Sequence, residues 1–356
     1  MSKPAAPFLL ESDVAEIVAS AGESVRAFEG KTVLLAGGRG FLGRYFSAAF
    51  AHLNARVFKK PCKVLVLDNL ITAGKAGALK EADRHTRFLP HNVIKPFKSR
   101  EKVDFVLQAA GIASPYYYRA YPLETLEVAI AGTKNMLELA KEHRARLLFF
   151  SSSEIYGDPD PRHVPTPESY RGNVSCHGPR ACYDESKRLG ETLCCVYHVK
   201  FGTAALMVRP FNVYGPGMQQ ADYRVLPNFA SRIVTRTPVQ VYGSGRQTRT
   251  FCYVSDAIAG FLRALVLGGP GEAYNIGNPV PEISMLELVK RSEKVLGRKI
   301  AHKVTEYPDS YPADEPNRRC PDITKARLQL GYEPKVSLEE GLGRFYRWAE
   351  ATYTAK

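Results

Sequence analysis

Short apolar runs recur through the first half of the chain and alternate with longer stretches of helical periodicity. The runs occupy residues 31–36, 63–67, 86–89, 104–108 and 147–150. Strands that are apolar along their whole length are typical of a parallel sheet covered by helices on both faces. The pattern therefore predicts an α/β fold with a doubly wound parallel sheet of the Rossmann type.

The first apolar run leads into a glycine turn and then a helical stretch. The turn carries Gly37, Gly40, Phe41, Leu42 and Gly43. Glycines at this spacing let backbone N–H groups and a helix N-terminus approach a pyrophosphate closely. The next strand ends in Asp68 and Asn69, where a carboxylate can accept from an adenosine ribose 2′-hydroxyl and would repel a 2′-phosphate. The two features together predict a dinucleotide site that prefers NAD to NADP.

The strand–helix alternation breaks after residue 210, where Gly- and Pro-rich links such as Tyr214-Gly-Pro-Gly appear. We predict three parts: an N-terminal extension at 1–30, an NAD-binding domain at 31–210, and at 211–356 mainly a smaller substrate-binding lobe with helices that return to the first domain. In the extension, Ser12 and Asp13 are placed to cap a short helix that packs on the main body. Near the C-terminus, Ser337 and Glu340 form a candidate capping box.

Composition and charge narrow the function classes. The seven cysteines are an odd number without a Cys-x-x-Cys pair, which argues against a disulfide framework and against a metal site. The formal charge of +13 comes from basic residues spread along the chain, so we expect a small anionic substrate and no nucleic-acid partner. Without a long apolar segment or a signal-peptide pattern, we expect no membrane association and a cytoplasmic location.

Tyr183 and Lys187 are the candidate proton-transfer pair. They lie four residues apart within a predicted helix at 182–198 and therefore share one face. A neighbouring ammonium stabilises a phenolate, so we expect Lys187 to lower the pKa of Tyr183. The spacing also arises by chance on many helices. The functional interpretation of this pair is supported by Ser152, Ser153 and Glu154. Their hydroxyls and carboxylate follow the strand at 147–150, so they belong to the same edge of the sheet.

These motifs resemble the extended short-chain dehydrogenase/reductase family, and within it the UDP-glucuronate decarboxylases. The resemblance covers most of residues 31–345 and rests on four segments: Ser152-Ser-Glu-Ile-Tyr-Gly-Asp-Pro159, Gly178-Pro-Arg-Ala-Cys-Tyr-Asp-Glu-Ser-Lys187, Val241-Tyr-Gly-Ser-Gly-Arg-Gln-Thr-Arg249 and Pro321-Asp-Ile-Thr-Lys-Ala-Arg327. It implies a homodimer formed through helices at 122–142 and 182–198.

The resemblance implies a role for each site residue. Tyr183 would take the proton of the sugar 4-hydroxyl as NAD⁺ accepts hydride from C4, with Lys187 also holding the nicotinamide ribose and Ser152 bonding the same oxygen. Ser153, Glu154 and Arg319 would face the reacting end of the sugar, whose 4-ketone allows loss of CO₂. Asn92 would take the place of an aspartate that contacts adenine. Substrate binding would fall to Ser114, Tyr118, Asn212, Asn228, Tyr242, Arg249 and Arg319.

The sequence leaves two alternative functions open. Ser153 stands where a dTDP-glucose 4,6-dehydratase has an aspartate, and Glu154 argues against a simple 4-epimerase, yet some dehydratases carry a Ser-Glu pair. A 4,6-dehydratase or 4-epimerase acting on another nucleotide sugar is therefore the first alternative. The second is a non-catalytic NAD-binding regulatory protein, because a fold does not dictate its function.

Overall fold

The computed structural model describes residues 8–73, 83–307 and 316–354. Its strands are β1 (Thr32–Ala36), β2 (Lys63–Asp68), β3 (Thr86–Pro90), β4 (Phe105–Gln108), β5 (Arg146–Phe150), β6 (Ala205–Pro210), β7 (Val213–Tyr214), β8 (Val239–Tyr242), β9 (Thr248–Arg249), β10 (Cys252–Tyr253), β11 (Ala273–Ile276), β12 (Ile283–Ser284), β13 (His302–Thr305) and β14 (Arg318–Arg319). Its helices are α1 (Glu11–Ala21), α2 (Phe41–Arg56), α3 (Pro115–Ala120), α4 (Pro122–Glu127), α5 (Thr133–His143), α6 (Ala181–Phe201), α7 (Val225–Val234), α8 (Val254–Leu267), α9 (Met285–Leu296), α10 (Thr324–Leu330) and α11 (Leu338–Thr352).

Seven parallel strands form the central sheet, in the order β11-β6-β5-β4-β1-β2-β3. The predicted doubly wound parallel sheet is confirmed. All five residues of β1 are buried, because helices cover both faces of the sheet. One apolar layer joins the sheet to α2 and α8 through residues such as Phe46 and Phe261. The other joins it to α5 and α6 through residues such as Met136 and Cys194.

Strand register brings the chemical motifs to one edge of the sheet. Ala36 at the end of β1 is in register with Leu67 of β2 and Gln108 of β4. The glycine turn, Asp68 and the small residues that follow Gln108 therefore leave the sheet side by side. The strand order reverses between β1 and β4, and in open α/β sheets the ligand crevice lies at this reversal.

The second half of the chain forms a smaller lobe and also completes the sheet. The lobe contains short sheets that pair β7 with β10, β8 with β13, and β9 with β12 and β14. Helix α8 packs against β5 and β6. Strand β11 pairs with β6 at the sheet edge, a contribution that we did not predict.

The N-terminal extension packs on the main body, as predicted, through contacts of α1 with α2 and α8. The predicted cap was wrong, since Leu10 occupies the N-cap position and makes no side-chain cap bond. Asp13 is instead fully buried. Its carboxylate accepts from the Tyr253 hydroxyl at 2.9 Å and from Arg344 at 3.1 Å.

Ser337 caps α11 as predicted, because its Oγ accepts from the Glu340 N–H at 3.2 Å. The Glu340 carboxylate pairs with Arg344 at 2.6 Å. No helix within the described ranges is both long enough and apolar enough to cross a membrane.

Replacing Asp13 by alanine tests how the extension is held. We expect a loss of about 3 kcal/mol in the free energy of unfolding, because the buried Tyr253 hydroxyl and Arg344 would lose a charged partner. Urea denaturation followed by circular dichroism measures the loss. Glu11→Ala, an exposed change on the same helix, is the control, and equal stability of the two variants would contradict the assignment.

Candidate active site

Two adjoining cavities open at the carboxyl edge of the sheet. Their volumes are about 270 Å³ and about 280 Å³, and Phe41, Leu42 and Gly111 line both. The first contains these residues predicted for catalysis or substrate binding: Tyr118, Ser152, Ser153, Glu154, Tyr183, Lys187, Asn212, Asn228, Tyr242, Arg249 and Arg319. The second contains these residues predicted for the cofactor: Gly37, Gly40, Gly43, Asp68, Asn69 and Asn92. We call them the substrate cavity and the cofactor cavity.

The glycine turn of the cofactor cavity leaves no room for side chains at Gly37 and Gly43. A Cβ on Gly37 would lie 2.7 Å from the backbone of Ala110, and one on Gly43 would collide with the carbonyl oxygen of Gly37. Asp68 lies directly against this turn, and two backbone N–H groups fix its carboxylate. Its Oδ2 accepts from the Arg39 N–H at 2.9 Å and its Oδ1 from the Leu70 N–H at 2.8 Å. A tight backbone turn facing a fixed carboxylate suits a pyrophosphate and an adenosine ribose, and therefore fits NAD.

Tyr183, Lys187 and Ser152 meet where α6 passes the end of β5. Tyr183 and Lys187 are one turn apart and both nearly fully buried. The Lys187 ammonium donates to the carbonyl oxygen of Phe150, the last residue of β5, at 2.8 Å. The Ser152 hydroxyl lies near the Tyr183 phenol and acts to lower its pKa. The helix thus presents a phenol beside a hydroxyl, with an ammonium behind them.

The prediction that Lys187 gives Tyr183 a lowered pKa is wrong for the protein chain on its own. Burial raises the pKa of Tyr183 to about 12, although the Ser152 hydroxyl opposes the shift. Burial also lowers the pKa of Lys187 to about 8. The physical reason is distance and direction: the ammonium lies 5.6 Å from the centre of the Tyr183 ring and donates to a carbonyl oxygen. Desolvation therefore outweighs the pairing that we predicted.

Glu154 lines the substrate cavity and lies between two guanidinium groups. Its Oε2 accepts from Arg319 at 2.6 Å and also from Arg180. Arg180 lies 3.5 Å from the carboxylate of Asp184, one turn along α6. Burial, together with the nearby charge of Glu154, raises the pKa of Asp184. Arg180 had no assigned role in the sequence, and the structure places it in direct contact with Glu154.

The outer part of the substrate cavity is aromatic and basic. Tyr242 stacks on Tyr307 with ring centres 5.8 Å apart. The Asn212 amide donates to the Thr250 carbonyl at 2.8 Å, which fixes its position. Among the described residues, five basic side chains and one acidic side chain line this cavity: Arg180, Lys187, Arg224, Arg249, Arg319 and Glu154. The excess positive charge favours an anionic ligand.

Ser114 is the exception among the predicted substrate residues, because it lines the cofactor cavity. It precedes α3, and its hydroxyl donates at 3.3 Å to Asp222, which lines the same cavity. Arg224 lines both cavities and pairs with Asp222. We did not predict Arg224, since a single arginine in a loop carries no recognisable spacing.

Comparison with known proteins agrees with this geometry. Residues 33–277 match the NAD dependent epimerase/dehydratase family. UDP-glucuronic acid decarboxylase 5 of Arabidopsis thaliana is 41% identical over 313 residues, which cover 87% of this chain and 86% of that protein. UDP-glucuronic acid decarboxylase 1 of Xenopus tropicalis is 39% identical over 316 residues, which cover 88% of this chain and 71% of that protein.

Solved structures show the same fold. A dTDP-glucose 4,6-dehydratase from Streptomyces venezuelae with NAD bound has a TM-score of 0.76 at 26% identity, covering 89% of this chain and 96% of that chain. A mutant UDP-glucuronic acid 4-epimerase from Bacillus cereus, in complex with NAD and a UDP-linked fluoro sugar acid, has a TM-score of 0.76 at 25% identity, covering 90% and 100%. The glycine cradle, the fixed Asp68 carboxylate and the Tyr183–Lys187 pair are thus features of a chain that belongs to the NAD dependent epimerase/dehydratase family.

Proposed function

We propose that this protein is an NAD-dependent UDP-glucuronic acid decarboxylase that forms UDP-xylose through a 4-keto intermediate. The observation that carries the proposal is Glu154, held between Arg319 and Arg180 beside Tyr183 in a cavity with excess positive charge. A sugar nucleotide with a carboxylate on its ring suits such a cavity. The decarboxylases that are 39–41% identical to this chain over 87–88% of its length support the same substrate.

The cofactor cavity would hold NAD along the glycine turn, with Asp68 at the adenosine ribose and Asn69 and Asn92 near the adenine end. When bound, NAD supplies the acceptor for a hydride from C4 of the sugar and the donor that returns it. The residues of the chain carry out the remaining steps, which are proton transfer, charge balance and positioning.

Tyr183 would take the proton of the sugar 4-hydroxyl, and Ser152 would orient the same oxygen. In the chain on its own, burial keeps the phenol protonated at neutral pH, with a pKa of about 12. Proton abstraction therefore needs additional positive charge near the phenol in the assembled site. Lys187 keeps most of its charge at neutral pH, since its pKa of about 8 lies above that range, and it contributes to this field.

The second half of the reaction is loss of CO₂ from the oxidised sugar. With a ketone at C4, the carboxylate on C5 belongs to a β-keto acid. The bond between C5 and the carboxyl carbon breaks, and its electron pair moves into an enolate on the C4 oxygen. Protonation at C5 and return of the hydride to C4 then give the pentose. Arg319 would position the departing carboxylate, with Glu154 orienting the Arg319 guanidinium and Ser153 beside them.

The remaining substrate residues would bind the nucleotide. Arg249 and Asn212 suit the diphosphate, because both are fixed by bonds to backbone carbonyls. Tyr242 and Tyr307 offer aromatic faces to the base. Tyr118, which stacks on Tyr183 at 5.3 Å, and Asn228 would complete the walls of the cavity.

We also propose a homodimer and a cytoplasmic location. The dimer would form through α4, α5 and α6, where large apolar side chains are exposed. Leu123 is 70% exposed and Val199 is 85% exposed, and such exposure is typical of surfaces that become covered on association. The free cysteines fit a reducing compartment.

Incubation of the purified protein with UDP-glucuronic acid, without added cofactor or reductant, tests the function. We expect release of one CO₂ for each UDP-xylose formed, because the hydride taken from C4 is returned to the same carbon. Mass spectrometry and NMR of the sugar nucleotides measure both products. A UDP-hexuronic acid epimer formed without CO₂ would contradict decarboxylation and favour a 4-epimerase.

Tyr183→Phe tests the proposed base. We expect turnover to fall by about 10³-fold, the scale of a lost general base, while UDP-glucuronic acid binding measured by calorimetry stays near normal. Tyr116→Phe, which removes a hydroxyl from a half-exposed neighbouring tyrosine outside both cavities, is the matched control. Near-normal turnover of Tyr183→Phe would rule out the assigned role.

Lys187→Met tests whether the buried ammonium serves function at the expense of stability. Burial lowers the pKa of Lys187 from 10.5 to about 8, so the unfolded chain binds this proton more tightly than the folded chain does. The charged ammonium therefore destabilises the folded state at pH 7, and this destabilisation fades as the pH rises from about 8 to 10.5. We expect the variant to be inactive. We also expect the difference in free energy of unfolding, variant minus wild type, to be about 2 kcal/mol larger at pH 7 than at pH 10. Urea denaturation at both pH values measures this, and a pH-independent stability difference would contradict it.

A further inference from the structure

The cofactor cavity has a wall that comes from outside the sheet domain. Phe8, which precedes α1 in the N-terminal extension, lines this cavity together with the glycine turn and Asp68. Its ring lies over the Arg44 guanidinium, 4.0 Å from Cζ. The same ring lies against Gly217, where a Cβ would collide with it. Phe8 therefore fills a gap between α2 and the loop at 215–224.

Arg44 lies beside the glycine turn, which would receive the pyrophosphate. It lies on the first turn of α2, directly after the glycine turn, and lines the cofactor cavity. Its Nε donates to the Arg39 carbonyl at 2.9 Å. Burial lowers the pKa of Arg44 to about 10, so the group remains a cation at neutral pH. A guanidinium beside a helix N-terminus suits phosphate oxygens, and the Phe8 ring covers one of its faces.

The loop at 215–224 is fastened across the cofactor cavity. The Gln219 amide donates to the Thr72 carbonyl at 2.9 Å and accepts from the Tyr117 hydroxyl at 3.0 Å. Ser114 bonds Asp222 in the same region. These contacts join the loop to segments that follow β2 and β4, and Phe8 continues the cover toward α2.

The extension holds Phe8 in place. Leu9 and Leu10 pack against the main apolar core, and the buried Asp13 ties α1 to Tyr253 and Arg344. Phe8 is thus the end of an anchored element. Moving it would separate its ring from both Arg44 and Gly217.

We propose that Phe8 is a cofactor-retention residue, which holds Arg44 on the bound dinucleotide and slows release of NAD from the cavity. The proposal rests on NAD binding and not on the identity of the sugar. A retained cofactor fits a reaction that returns its hydride within each turnover, since NAD then has no need to leave between cycles.

Exchange of NAD tests the proposal on the purified full chain without sugar nucleotide. Protein loaded with radiolabelled NAD is mixed with excess unlabelled NAD, and the retained label is followed by rapid gel filtration. We expect Phe8→Ala to release NAD about tenfold faster than wild type, as expected for losing a partly buried cation–π contact. Val14→Ala, which truncates a buried side chain on α1 away from the cavity, controls for loosening of the extension.

Gly217→Ala provides a reciprocal test, because its Cβ would displace the Phe8 ring. We expect this variant also to release NAD faster. Part of that effect comes from strain in the loop, since Gly217 has a φ of +93°, and only the part that acts through the Phe8 ring should disappear when Phe8 is already alanine. Wild-type release by Phe8→Ala, or equally fast release by Val14→Ala, would overturn the proposal. Both outcomes are independent of whether UDP-glucuronic acid is decarboxylated.

Discussion

The site depends on one buried hydrogen bond, from the Lys187 ammonium to the Phe150 carbonyl oxygen at 2.8 Å. The bond joins α6 to the carboxyl end of β5, which is also where Ser152, Ser153 and Glu154 begin. Tyr183 lies one turn earlier on the same helix, so the bond sets its distance from Ser152. The ammonium is costly to bury, and this cost is the reason that its proton is held less tightly than in water. A buried charge that lowers the stability of the fold is expected at a site where the position of that group matters for function.

Much of the fold and of the site followed from the sequence because both depend on local patterns. Apolar runs predict buried parallel strands, and parallel strands bring their carboxyl ends to one edge. The sequence alone therefore assigns residues that are far apart in the chain, such as Gly37, Asp68 and Ser152, to one edge of the sheet. The family motifs then supplied Arg319 and Arg249, whose places in the substrate cavity no periodicity would predict.

The remaining features depend on contacts between distant segments, and single-sequence patterns carry no signal for them. Asp13 was expected to cap a helix because its local sequence suits a cap, but a bond to Tyr253 across the fold outweighs that preference. Tyr183 was expected to have a lowered pKa because Lys187 is near in sequence, but burial dominates. Phe8 and Gly217 meet only because the extension and the 215–224 loop converge on α2.

The bond between Arg344 and Asp13 spans 331 positions of the chain, and this has a consequence for biosynthesis. A ribosome makes the extension first, whereas Tyr253, the edge strand β11 and Arg344 emerge much later. While the polypeptide is still growing, α1 lacks the partners that fasten it and the sheet lacks its last strand. Domains generally fold in the order in which they are synthesised, but here the wall that Phe8 adds to the cofactor cavity is secured only after Arg344 has been translated. The cofactor cavity should therefore gain its Phe8 wall only once Arg344 has emerged from the ribosome.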